Sequence, residues 1–157
     1  MKKGGIFNRA LNEAISAMGH TDVLVVSDVG YPVPLKNVIL ADLAIAADLP
    51  DILTVMKLLV SDFIYERCIV AEEQKLYNPP LYKSLSDIVD RCPIETAPHT
   101  DIMGKWREAA KVIVRTGALQ PWGNVVLVSG VDAPGYFSKP GVVVPDYYQQ
   151  RADYEEK

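Results

Sequence analysis

The sequence predicts an α/β layered domain, and three observations carry that prediction. Short runs rich in β-branched residues, at 23–27, 67–71, 112–114 and 125–128, read as strands. Segments of ten or so residues with apolar positions at three-and-four spacing lie between them and read as helices. Strands that alternate with helices pack as a sheet layered against helices. A chain of 157 residues is enough for one such domain with a real core.

The elements follow in order. Residues 6–18, IFNRALNEAISAM, place Ile6, Phe7, Ala10, Leu11, Ala14, Ile15 and Met18 on one helical face, and Gly19 stops the helix. Residues 23–27 are almost continuously apolar, as in a strand covered on both faces. Pro32 and Pro34 then stiffen an extended loop. Residues 38–45 form a second, ragged strand. Pro50 and Asp51 open a helix through ILTVMKLLVSDF. Residues 67–71 are a third strand, and Glu72-Glu73 read as its polar terminus. Asn78 and two prolines begin a further helix with Leu81, Leu85, Ile88 and Val89 inward. Residues 93–98 are a short extended piece, 101–110 are helical with Trp106 in the core, and 112–114 and 125–128 are the last strands. From Val131 the chain turns rich in proline and tyrosine and leaves the sheet.

Composition narrows the function classes. Hydrophobic residues at 49% and charged residues at 23% fit a globular protein. A net charge of −4, with Lys and Arg scattered among the acids, argues against nucleic acid or an anionic membrane as partner. No apolar stretch would span a bilayer, and MKKGGIFNRALNEAI lacks the apolar core of a signal peptide. Cys68 and Cys92 lack CxxC spacing and are too few for a disulfide framework, so a reduced, cytoplasmic protein is expected. Phosphate-loop, dinucleotide-loop, nucleophile-elbow and metal-ligand motifs are absent from the sequence.

The residues able to do chemistry cluster around the first strand, in GHTDVLVVSDVGYPVP at 19–34. His20 precedes the strand and Asp28 follows it. Histidine suits proton transfer near neutral pH, and a carboxylate at the carboxyl end of a strand suits ligand binding. Read alone, His20 and His99 are as well solvated loop residues, and Asp28 a turn former before Gly30. Asp22 reads as a turn residue rather than an orienter of His20. Eight residues of extended chain span roughly 26 Å, so His20 and Asp28 reach one small ligand only if the chain curls back or two subunits meet. Trp122-Gly123-Asn124 offers a flat ring and an amide, a combination that holds sugars and also occurs in plain turns.

The opening MKKGGIFN, the 19–34 segment, AEE at 71–73, His99 and RTGALQPWGNVVLVSGV at 115–131 together resemble the ribose pyranase/fucose mutarotase (RbsD/FucU) family over about residues 1–131. The resemblance implies a single three-layer α/β/α domain with a mostly parallel central sheet. It implies a cytoplasmic isomerase, of D-ribose pyranase or L-fucose mutarotase type, that interconverts ring forms or anomers of a free monosaccharide without metal or cofactor. It implies a homo-oligomeric ring, commonly a decamer, with sugar sites between subunits. It places the proton donor on His20 and sugar binding on Asp28, His99, Trp122, Gly123 and Asn124. Trp122 departs from the family's usual tyrosine and removes a hydroxyl. A non-catalytic sugar-binding or regulatory protein of the same fold is therefore the alternative. Residues 132–157 are expected as an extension beyond the family domain, and its tyrosines as a source of the hydroxyl that Trp122 lacks.

Overall fold

A six-stranded sheet organises the computed structural model, which describes residues 1–34 and 36–154. The strands are β1 (Val23–Ser27), β2 (Ile39–Asp42), β3 (Tyr65–Ala71), β4 (Ile94–Ala97), β5 (Ala110–Arg115) and β6 (Val125–Ser129), in spatial order β2-β5-β1-β6-β3-β4. β5 pairs parallel with both β1 and β2, and β3 pairs parallel with β4. β6 alone runs antiparallel, between β1 and β3. The sheet is thus mostly parallel, and helices cover both faces, as the alternation of elements predicts.

On one face pack α1 (Arg9–Ser16), α2 (Ile52–Asp62) and α4 (Pro79–Ile88), through Leu11, Met56, Leu59 and Leu85 against Leu24, Val26 and Val70. Each begins at a side-chain cap. Asn8, Asp51 and Asn78 accept from the backbone N–H groups of Leu11, Thr54 and Leu81, satisfying donors that no helical carbonyl reaches. On the other face, α5 (His99–Asp101) continues through a π-helical turn (Ile102–Trp106) into α6 (Arg107–Ala109). Ile102 is fully buried there against Val25, Ile113 and Val126, with Trp106 at the margin.

Three expectations are corrected and one is sharpened. The first helix starts at Arg9, not residue 6, because Asn8 caps it. Ile6 turns into the core while Phe7 stays 68% exposed. The second strand ends at Asp42, where the chain leaves the β5 ladder. Glu72 and Glu73 do not end a strand: they open α3 (Glu72–Tyr77), where acidic residues favour the positive helix N-terminus. The extended piece at 93–98 contains a true strand, β4, which finds its hydrogen bonds on β3.

Beyond β6 the chain forms α7 (Ala133–Phe137), a 3-10 turn (Asp146–Tyr148) and α8 (Gln149–Ala152), none of them in the sheet. The last three residues of the expected extension, 155–157, lie outside the described residues.

Candidate functional site

The topology sorts the candidate residues onto two opposite ends of the sheet. β1, β3 and β4 run in one direction, so their carboxyl ends lie together, and antiparallel β6 brings its amino end to them. Asp28, Glu73, His99 and Asn124 therefore share one end. Ligands of parallel α/β sheets bind at this end. His20 precedes β1 and lies at the other end, with the start of β3 and the close of β6.

At the carboxyl end, Asp28, Gly30, Tyr31, His99, Met103, Gln120, Pro121, Trp122 and Asn124 line a cleft of about 310 Å³, within the usual range of small-ligand sites. Asp28 is held from three directions. Its backbone N–H donates to Asn124 Oδ1 at 3.1 Å, and Asn124 Nδ2 donates to Asp28 Oδ2 at 3.1 Å. Gly30 N–H donates to Oδ1 at 2.8 Å, so the turn-forming role of Asp28 and its place in the cleft coexist. Asn124 is 2% exposed, and the pairing occupies one amide hydrogen and one oxygen lone pair of its side chain.

Trp122 enters at φ +53° from a turn in which Gly123 N–H donates to Gln120 O at 3.0 Å. A Cβ on Gly123 would lie 2.6 Å from Gln120 Cβ, so only glycine closes this turn. The indole stands 5.3 Å from the ring of Tyr77, at 39° between planes. His99 is fixed through its backbone, which donates to Glu73 Oε2 at 2.9 Å. Its ring Nδ1 is buried and has no hydrogen-bond partner among the described residues. The cleft thus combines an aromatic face, a carboxylate acceptor, an amide and an imidazole, the complement a polyhydroxylated ring needs.

Sequence reasoning missed Tyr31, Met103 and Gln120. Tyr31 followed directly from the loop after β1. Its hydroxyl is buried and donates to Ile102 O at 2.9 Å, and burial pushes the phenol well above its ordinary range, so it stays a neutral donor. Met103 and Gln120 carry no distinguishing sequence signal.

At the opposite end, His20 sits in a turn that is tightly tied. Thr21 N–H donates to Ser129 O at 2.9 Å, and Ser129 N–H to Asp22 O at 2.8 Å. Asp22 Oδ2 accepts from Gly19 N–H at 2.7 Å and from Lys111 Nζ at 2.5 Å. The lysine bond, with the Gly19 N–H, holds the Asp22 carboxyl below its usual range. Asp22 is thus the turn residue expected and makes no bond to the imidazole. His20 Nε2 instead lies 3.1 Å from Glu66 Oε2, with the imidazole 38% exposed. Within one chain, then, the structure brings Asp28, His99, Trp122, Gly123 and Asn124 together and leaves His20 apart. Nor do the tyrosines of the extension line the Trp122 cleft. Tyr154 donates to Asp90 Oδ2 at 2.9 Å, away from it.

Fold and cleft define a small α/β protein with a preformed cleft, lined by aromatic, carboxylate, amide and imidazole side chains, at the carboxyl end of its sheet. The pattern of the RbsD / FucU transport protein family matches residues 1–132. The chain belongs to that family.

Among its relatives, D-ribose pyranase 2 of Rubrobacter xylanophilus is 47% identical over 97% of this chain and 98% of its own. D-ribose pyranase 1 of Streptomyces griseus is 42% identical over 96% and 99%. Both alignments run into the extension, whereas that with the Geobacillus thermodenitrificans D-ribose pyranase covers 84% of this chain and 98% of the relative. The structure of Bacillus subtilis RbsD complexed with D-ribose superposes with a TM-score of 0.77 at 33% identity, over 83% of this chain and 98% of that one. The fucose mutarotase of Streptococcus pneumoniae shares the fold at 18% identity and a TM-score of 0.59.

Proposed function

We propose that this chain is an isomerase that interconverts the ring forms of a free aldose, D-ribose first, by general acid–base catalysis at His20. The observation that carries the reading is the reciprocal Asp28–Asn124 pairing beside Trp122 in the cleft. Relatives named D-ribose pyranase, at 47% and 42% identity, favour ribose over fucose.

Opening a cyclic aldose requires a proton taken from the anomeric hydroxyl and one delivered to the ring oxygen. Reclosure through a different hydroxyl gives a different ring size. One imidazole can serve both transfers in turn. Asp28 accepts from sugar hydroxyls, His99 and Asn124 fix orientation, and the Trp122 ring covers the C–H face. Such opening occurs unaided in water, so a few well-placed groups are a sufficient catalyst.

Because His20 and Asp28 occupy opposite ends of β1, the proposed site joins the Asp28 cleft of one subunit to His20 of the next. Exposed Phe7, Ile45 and Leu49 rim an apolar groove of about 460 Å³ and suit burial against a second copy. The assembly proposed is a closed homo-oligomeric ring, a decamer as the resemblance implies. Residues 1–131 are read as the sugar-handling domain and 132–157 as an added extension.

The test is co-refolding of His20→Ala with Asp28→Ala chains. Shared sites predict ribose ring-form exchange in the mixture that neither variant supports alone. Sites confined to one chain predict no recovery.

A further inference from the structure

The described extension returns to the end of the sheet that carries His20, and the reason lies in the topology. β6 delivers the chain at Gly130, whose N–H donates to Ile64 O at 2.9 Å, two residues before Glu66. From there α7, the 3-10 turn and α8 fold back over the start of β3. The tilted rings of Phe137 and Tyr148 pack with centroids 5.5 Å apart, and those of Tyr148 and Tyr147 with centroids 5.2 Å apart. The Arg151 guanidinium lies 5.2 Å from the Tyr148 ring centroid. Arg151 Nη1 then reaches Glu66 Oε2 at 2.9 Å. That is the same oxygen that faces His20 Nε2 at 3.1 Å.

We propose that Glu66 is the positioning residue of His20, and that the extension holds Glu66 in place through Arg151. This rests on the reading of His20 as the proton carrier. A carboxylate only accepts, so His20 Nε2 carries the proton and the lone pair is left on Nδ1 for the sugar. The Glu66 side chain is only 13% exposed, so few waters compete for its oxygens. A guanidinium on the same oxygen fixes the direction of the carboxylate by a charge-assisted bond. The ring is thereby set in one tautomer and one orientation, which an exposed loop histidine would not keep on its own. A chain without the extension would hold His20 through Glu66 alone. The extension is thus a brace on the catalytic turn.

The chain has two histidines, so histidine-selective ¹⁵N labelling of the full-length protein gives a simple imidazole spectrum. It is recorded at about pH 8.5, where an ordinary imidazole is neutral. Wild type should show a His20 Nε2–H proton protected from solvent exchange, with Nδ1 unprotonated. Glu66→Ala should lose that protected proton. Its ribose exchange rate should fall about tenfold, short of the ~10²–10⁴ that a general acid–base group supplies, with ribose affinity unchanged. Glu66→Gln keeps an acceptor oxygen and the side-chain shape, and should restore the protected proton. Arg151→Met should make that proton exchange severalfold faster, and Arg151→Lys should bring it back toward wild type. A His20 N–H as protected in Glu66→Ala as in wild type overturns the role of Glu66. An Arg151→Met spectrum that superimposes on wild type overturns the role of the extension. If wild type does not exchange ribose ring forms at all, the proposed function fails, and the imidazole spectra still decide this inference.

Discussion

Asp28 and Asn124, 96 residues apart in the chain, bind each other twice, main chain to amide and amide to carboxylate. The antiparallel register of β1 and β6 brings them together, with Val26 opposite Val125. One hydrogen-bonded pair thus links β6, antiparallel to both of its neighbours, to the cleft.

Removing that link should cost both stability and ligand binding. Asn124→Ala leaves the Asp28 carboxylate without its amide donor and the Asp28 N–H without its acceptor. Urea unfolding should show a loss of about 1–3 kcal/mol, the range for two part-buried hydrogen bonds at about 0.5–1.5 kcal/mol each. Ribose titration should show weaker binding in the same variant. Unchanged binding would place the sugar away from Asp28.

Gly123→Ala should act through space rather than chemistry. Its new Cβ would press on Gln120 Cβ at 2.6 Å and Gln120 O at 2.8 Å. The turn must shift and carry Trp122 and Asn124 with it. An overpacking loss of about 1–3 kcal/mol, together with weakened ribose binding, is expected.

Trp122 should report the ligand directly. The chain has two tryptophans, so Trp106→Phe leaves Trp122 as the only indole emitter. Ribose stacking on its ring should change its emission saturably, and Trp122→Ala should weaken binding. Emission that does not respond to ribose would remove the aromatic face from the site.

The His20 turn should be acid-sensitive through Asp22. Its carboxyl lies below the ordinary value of 3.8 because Lys111 and the Gly19 N–H donate to it. A carboxyl lowered on folding contributes stability that is present above the unfolded value and lost as pH falls through the folded one. Lys111→Met should therefore lower the melting temperature near neutrality. The gap from wild type should narrow below about pH 4 as Asp22 protonates in both proteins. A gap constant down to pH 2 would assign the Lys111 effect to packing.

Much of this was legible in the sequence, and what was not has physical causes. The runs at 23–27 and 125–128 announced buried strands because both of their faces are covered. β4 did not, since IETA is half exposed and owes its strand form to hydrogen bonds on β3. Glu72-Glu73 misled because the strand before them ends without a turn residue, and helix N-terminal electrostatics then decides. Asp28, His99 and the 122–124 element stood out by type and position, but each also fits a plain loop or turn, and only the family resemblance pointed to a shared site. Glu66 was not: its meaning depends on a contact 46 residues distant with His20 and on Arg151 folding back from the extension.

Saturation-transfer NMR on equilibrated D-ribose, with wild type and His20→Ala side by side, tests the central claim most directly. Wild type should speed exchange between pyranose and furanose signals, and His20→Ala should lose that acceleration while still binding ribose. Acceleration that survives in His20→Ala would contradict the account. So would wild type that binds ribose without exchanging its ring forms.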